Sequence, residues 1–238
     1  MRRTAGQGWR RFRAVLFDLH GTLVEDRDYE EFSHLAHQVD VPADPEPLSE
    51  AVRWADTEFD RARDRPTPVT YWQAVLARAS GRAVGPVEAR RYVERLDRLP
   101  PIARLFSDVR RTLERFTAEG RRLGVVSNSR SESSVREMLE SVRILPYFSV
   151  IVSSGSEGVE KPDPEIFHRA VERIGVAPSE AFYVGDLSNT DARAAEAAGL
   201  ASVWLHRDGT GFGLDPPEIT SLSELPRWVA KLEGALVK

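Results

Sequence analysis

Val15-Leu16-Phe17-Asp18-Leu19-His20-Gly21-Thr22-Leu23-Val24 is the stretch that decides how the chain is read. Ala14 to Phe17 is an uninterrupted apolar run, the pattern of a strand buried on both faces of a parallel sheet. It ends in one carboxylate, Asp18, and the chain then turns at Gly21 and Thr22. In an open α/β sheet, ligands bind beyond the carboxyl ends of the strands. A lone acid in such a place is also a common cap or loop residue, so other segments must decide.

Three do. They are Gly124-Val125-Val126-Ser127-Asn128, then Gly158-Val159-Glu160-Lys161-Pro162-Asp163-Pro164, then Tyr183-Val184-Gly185-Asp186 with Asp191 five residues on. Two of the three are short hydrophobic runs ending in a polar residue. Taken in order with Asp18, they resemble the four motifs of the haloacid dehalogenase-like (HAD) hydrolase superfamily, over about Val15 to Trp228. Strand-end placement is the context that such short motifs need.

Composition bounds the class. The 238 residues are enough for one ample core and a smaller second module. A net charge of -4 argues against nucleic acid as the main partner. With no cysteine there is no disulfide, no thiolate metal site and no thiol nucleophile. No run of about 18 apolar residues is present, so no membrane helix is expected. Met1 to Arg13 carries five Arg and no acid but lacks the apolar stretch of a signal peptide, which reads as a disordered basic leader of a cytoplasmic protein.

Only three of the 33 basic residues are Lys, namely Lys161, Lys231 and Lys238. The chain uses Arg wherever any positive charge will do. Lys161 stands inside a motif, and its compact ammonium is not interchangeable with a planar guanidinium. That bias marks Lys161 independently of the resemblance.

Periodicity and turn signals predict helices near Tyr29–Gln38, Pro47–Ala62, Val69–Ala79 and Val87–Arg98, with no comparable strand pattern among them. Beyond Pro100-Pro101, strands at Leu123–Val126, Ser149–Val152, Ala181–Val184, Ala201–Leu205 and Glu218–Ser221 alternate with helices. The helices are expected over Val109–Glu119, from Ser133 to Val142, from Lys161 onward, over an Ala-rich Thr190–Ala198 and over Glu224–Leu232. Such alternation means a doubly wound parallel α/β sheet. The expected organisation is a leader at 1–13, a core at 14–24 and 101–238, and a helical segment at 25–100. The resemblance makes that segment a helical cap domain. Its first half, Glu25 to Asp60, holds twelve acids against two Arg, and its second half, Arg61 to Arg98, holds nine Arg against four acids. Two solvated faces that attract each other are one account of this; the other has the acidic half discourage highly anionic leaving groups and recognise hydroxyl or amine groups. Tyr29, Phe32, Trp54, Phe59, Tyr71 and Trp72 are expected to form that segment's core.

Phosphoryl transfer needs an in-line nucleophile, neutralised equatorial oxygens and proton management at the leaving group. The resemblance implies that Asp18 is the nucleophile, forming an aspartyl-phosphate. It also implies that Asp18, Asp186 and the His20 backbone carbonyl hold Mg²⁺, with Asp191 acting from behind them. Gly21, Thr22, Ser127, Asn128 and Lys161 are the expected phosphate-binding residues, Ser127 doubling as a helix cap, and Lys161 also offsets charge in the transition state. Phosphatases of this family carry a second Asp two residues after the nucleophile as general acid and base. This chain has His20 there, neither the Tyr of the dehalogenases nor the Ala of the phosphonate-cleaving branch. An imidazole is a competent proton shuttle near neutrality, so the implied activity is a Mg²⁺-dependent phosphatase for a small phosphorylated metabolite. The alternative is a weakly active or inactive relative that binds a phosphorylated ligand or a protein partner through the same pocket. Nothing in the sequence decides between monomer and homodimer.

Overall fold

The computed structural model describes residues 12–25, 28–61, 66–99, 103–207, 209 and 217–235. The chain divides into two compact units, Met1–Glu25 with Ala103–Lys238, and Asp26–Ile102.

In the first unit, β1 (Ala14–Phe17) is followed by a short β2 (Val24–Glu25). The second unit then supplies α1 (Tyr29–His37), α2 (Pro45–Arg61), α3 (Pro68–Ser80) and α4 (Pro86–Leu96). On return come β3 (Arg104–Leu105), α5 (Val109–Ala118), β4 (Arg122–Ser127), α6 (Glu132–Ser141), β5 (Phe148–Ser153), α7 (Ser154–Glu157) and α8 (Pro164–Ile174). The chain continues through β6 (Ala181–Gly185), α9 (Ala194–Ala197), β7 (Ala201–Leu205), β8 (Glu218–Ile219) and α10 (Leu225–Ala235).

Six strands form one sheet in the order β5-β4-β1-β6-β7-β8, and every pairing in it is parallel. Both faces of β1 are buried, as its unbroken apolar run requires. Val15 and Phe17 pack with Leu113, Phe116, Leu123 and Val229 on one side. Ala14 and Leu16 pack with Phe167, Val171, Tyr183 and Ala195 on the other. The period-2 alternation of side chains thus sends α5, α6 and α10 to one face and α8 and α9 to the opposite one. This is a doubly wound α/β sheet. From β1 the chain proceeds outward to β4 and β5 on one flank and later to β6, β7 and β8 on the other. The strand order therefore reverses at β1, where such sheets leave a crevice at the strand ends.

The helical unit has its own core of Leu35, Leu48, Val52, Val75, Leu76 and Tyr92. Of its aromatics, only Tyr92 is fully buried, and the others named above are half-buried against that core. Phe32 and Trp72 meet edge to face at 5.4 Å. Asp28 caps α1 and Thr67 caps α3, each accepting a backbone N–H of the first turn.

Several expectations need correction. Phe12, inside the segment expected to be a leader, is buried in the core, and residues 1–11 lie outside the described residues. Glu25 belongs with the sheet unit, because β2 pairs antiparallel with β3. Lys161 does not open a helix: α8 starts at Pro164, capped by Asp163, and Lys161 sits in the turn before it, preceding a cis Lys161–Pro162 bond. The Ala-rich segment is not one helix. Ser188–Arg193 is a wide π-type turn and only Ala194–Ala197 is α-helical. Within it Asp191 Oδ2 turns back to accept the Leu187 N–H at 3.0 Å, and such π-bulges are frequent at functional sites. The glycine-rich loop before β8 lies mostly outside the described residues. Among the described residues, no helix is long and apolar enough to cross a membrane.

Candidate active site

Three neighbouring parallel strands end at the site: β1 leads into Asp18, β4 ends on Ser127, and β6 leads into Asp186. Asp18 is held to the sheet by its own N–H, which donates to the Val184 carbonyl at 2.9 Å. One oxygen from each of Asp18, Asp186 and Asp191 lies within 4.8 Å of the others. Two glycines permit this crowding. A Cβ on Gly185 would strike the Asp191 carboxylate, and one on Gly21, at φ 73°, would strike that of Asp186.

Lys161 is 2% exposed, and its Nζ reaches Asp18 Oδ1 at 2.5 Å, Asp191 Oδ1 at 2.6 Å and the Tyr183 hydroxyl at 3.0 Å. An ammonium has three N–H donors, so the protein already occupies all three. Burial opposes the charge most strongly, and the Asp18 and Asp191 carboxylates outweigh it, holding the Lys161 pKa above its ordinary 10.5. Burial pushes the Asp18 carboxyl upward from 3.8; Lys161 pulls it back, and the Asp191 charge adds to the rise. Tyr183 donates to Asp191 Oδ1 at 2.8 Å. Its phenol is pushed well above 10.0, first by burial and then by the Asp191 and Asp18 charges, so it stays a hydroxyl.

Three carboxylates against one ammonium leave surplus negative charge in a largely buried place. All the donors are hard oxygens, the set that suits a hard divalent cation. Within it Asp191 is the odd member, because Oδ1 serves Lys161 and Tyr183 while Oδ2 accepts the Leu187 N–H. Its geometry suits holding Lys161 more than holding an ion. Asp186 is fixed from behind, its carbonyl accepting the Trp204 indole N–H at 2.8 Å.

The expected phosphate-binding residues divide. Ser127 is fully buried at the end of β4, its Oγ 2.8 Å from Ser129 Oγ. Ser129 Oγ is in turn 3.3 Å from His20 Nε2. The Gly21 N–H is used inside its turn, donating to the Val24 carbonyl at 2.9 Å. Thr22 is buried. Asn128 faces the Lys161 main chain: its Oδ1 accepts the Lys161 N–H at 2.9 Å and its Nδ2 donates to the Lys161 carbonyl at 3.0 Å.

Three participants escaped the sequence reading. Tyr183 lies in an apolar strand run, where an aromatic reads as core. Ser129 stands two residues after Ser127, on a repeat that could have drawn notice. Arg207 is farthest in sequence: it donates to the carbonyls of Gly21 and Thr22 at 3.1 and 2.7 Å and forks onto both oxygens of Asp108 at 3.0 and 3.2 Å.

A doubly wound core with an acidic, lysine-bridged cluster at its strand ends defines an α/β protein with a site of hard oxygen donors. Residues 12–199 match the family model for haloacid dehalogenase-like hydrolases, and the chain belongs to that family. It is 41% identical over 126 residues to haloacid dehalogenase-like hydrolase domain-containing protein 3 of Danio rerio, covering 51% of each chain. It is 38% identical over 109 residues to a phosphoserine phosphatase of Thermus thermophilus, covering 44% of this chain and 42% of that one. With the phosphoglycolate phosphatase of Escherichia coli K12 it shares 36% over 118 residues, 48% of this chain and 46% of that one. The chain thus spans about half the length of the curated relatives it matches. Among solved structures, the putative HAD-hydrolase YfnB of Bacillus subtilis, bound to magnesium, shares the fold with a TM-score of 0.70 and 22% identity, over 92% of this chain and 99% of that one.

Proposed function

We propose that this protein is a Mg²⁺-dependent phosphatase that hydrolyses a small phosphorylated metabolite through an aspartyl-phosphate on Asp18. The observation that carries the proposal is the Asp18–Lys161–Asp191 bridge beside Asp186, because it pairs a buried nucleophilic carboxylate with a fixed positive charge. The phosphoserine and phosphoglycolate phosphatases among its relatives support the reaction class, and the magnesium-bound neighbour supports the ion.

Asp18 and Asp186, with the His20 carbonyl, would hold the cation, which when bound lets two anions approach each other. The chain's own residues do the rest. Asp18 attacks phosphorus as the ester P–O bond breaks, and the leaving oxygen takes a proton from the His20 imidazolium. Water then attacks the aspartyl-phosphate while giving a proton back to His20, which frees Asp18 and phosphate. Ser127 donates its hydroxyl to a phosphoryl oxygen. Lys161 is already bonded on all sides, so it keeps Asp18 aimed and offsets charge across the short distance between them.

A screen of phosphate monoesters with and without Mg²⁺ tests the proposal. Turnover should require Mg²⁺ and should fall roughly 100-fold or more in His20→Ala, the usual scale for a lost proton-transfer group. An unchanged rate in that variant would remove His20 from the chemistry. An inert wild type that gains turnover as His20→Asp would instead identify a ligand-binding relative.

A further inference from the structure

Gly21 is a loose joint at the point where the site is most crowded. Its φ of 73° and its approach to the Asp186 carboxylate both demand a residue without a Cβ, and such a residue leaves the backbone dihedrals permissive. The peptide planes on either side of it therefore need other restraints. The plane before it carries the His20 carbonyl and the Gly21 N–H, and that N–H donates to the Val24 carbonyl at 2.9 Å. In a trans peptide the two groups point in opposite directions, so this bond also governs the aim of the His20 carbonyl. The plane after it carries the Gly21 carbonyl, which is held from outside the turn.

Arg207 is what holds it. Nε donates to the Gly21 carbonyl at 3.1 Å and Nη2 to the Thr22 carbonyl at 2.7 Å, so one rigid, planar group pins two successive peptide planes. The guanidinium is itself seated. Asp108 accepts from Nη1 and Nη2 at 3.0 and 3.2 Å, and the Phe106 ring lies against it with its centroid 3.8 Å from Cζ. Asp108 is anchored in turn, accepting from Ser221 Oγ and the Leu222 N–H, both at 2.8 Å. The fork also settles the electrostatics. A bare guanidinium this near a cation site would oppose the cation, and pairing with a carboxylate offsets that charge while leaving the donors to the turn in place.

We propose that Arg207 is a positioning residue for the cation site: by fixing the two peptide planes after Gly21, it keeps the His20 carbonyl and the Asp186 carboxylate in a set relation for Mg²⁺. The inference rests on the phosphatase reading, in which those two groups help to hold the ion. Arg207 restores through main-chain bonds the rigidity that a glycine forfeits, at the one place where the Asp186 carboxylate leaves no room for a side chain. It acts through the turn and takes no part in bond making or breaking.

The test is Mg²⁺ binding to the full chain by isothermal titration calorimetry, comparing wild type with Arg207→Met and Arg207→Lys after near-ultraviolet circular dichroism has shown each to be folded. The sign is diagnostic. Charge alone predicts tighter binding in Arg207→Met, because a positive group is gone and Asp108 is left uncompensated. Lost positioning predicts the reverse: Arg207→Met should bind Mg²⁺ roughly tenfold more weakly or worse, the scale for removing a group that orients a metal ligand. Amide hydrogen exchange at Gly21 should also quicken in the metal-free variant. Arg207→Lys keeps the charge without the fork and should weaken binding in the same direction, and it carries the test if Arg207→Met does not fold. Mg²⁺ affinity that is unchanged or tighter in the folded variants, whatever their thermal midpoints, would overturn the inference and leave the phosphatase reading standing. Failure of the wild type to bind Mg²⁺ would overturn both.

Discussion

Asn128 grips the main chain of Lys161 from both sides, accepting its N–H at 2.9 Å and donating to its carbonyl at 3.0 Å. The last residue of one motif thus fixes the backbone from which the lysine of another reaches 143 positions back in sequence to Asp18. Asn128→Ala should lower kcat on the order of tenfold, the scale of one hydrogen bond to a charged group, and leave KM nearly unchanged. Steady-state kinetics checks this. A large rise in KM with kcat intact would mean that Asn128 binds the substrate phosphate directly.

Tyr183 makes a second, different claim on Lys161. Its hydroxyl lies 3.0 Å from Nζ and 2.8 Å from Asp191 Oδ1. Tyr183→Phe preserves the ring that packs edge to face on Phe167 at 4.9 Å and removes only the oxygen. The expected result is a thermal midpoint close to wild type and a kcat reduced by roughly tenfold. A substitution that lowers the midpoint and leaves kcat alone would make this tyrosine a packing residue.

The strand-end residues were legible because buried parallel strands announce themselves as apolar runs, and Asp18, Ser127 and Asp186 are the first polar groups past such runs. Lys161 was legible for a compositional reason, in a chain that otherwise spends Arg. What failed to show was how side chains turn. Asp191 folds back onto its own turn within a π-type segment, where an Ala-rich sequence predicts plain α-helix. Asn128 faces a backbone and not the pocket, and the Gly21 amide is consumed by its own turn. The β2–β3 pair involves two residues per strand, too few to leave a periodic trace. The Arg207–Asp108 contact joins positions 99 apart with no local signal at either end.

That contact gives the fold an acid-sensitive brace. Burial favours the neutral form of Asp108 most strongly, but hydrogen bonds from Arg207, Ser221 and the Leu222 N–H, with the Arg207 charge, prevail and hold its pKa below the ordinary 3.8. A carboxylate depressed in the folded state adds stability that is complete above its unfolded value and is lost as pH falls through the folded one. Urea denaturation of wild type between about pH 5 and pH 3 should therefore lose stability more steeply than Asp108→Asn does. Parallel curves for the two proteins would mean that Asp108 contributes no pH dependence.

At the opposite end of the sheet, Arg121 ties both ends of the described core together. Its side chain is 4% exposed and donates to the Phe12 carbonyl at 2.5 Å and to both oxygens of Glu233 at 2.9 Å. Removing one partner of a buried pair strands the other, at a cost of about 3 kcal/mol. Arg121→Ala should lower the thermal midpoint by roughly 6–12 °C at that cost, with kcat of the surviving folded protein unchanged. Differential scanning calorimetry reads the shift directly, and a midpoint within a degree or so of wild type would contradict it.

The most direct measurement is chemical trapping of the intermediate. Protein quenched during turnover of a phosphate monoester and reduced with borohydride should carry homoserine in place of Asp18 in its peptide map, as reduction of an aspartyl-phosphate requires, and Asp18→Asn should show neither turnover nor product. Steady turnover with an unmodified Asp18, or an Asp18→Asn variant that hydrolyses substrate at the wild-type rate, would contradict the account.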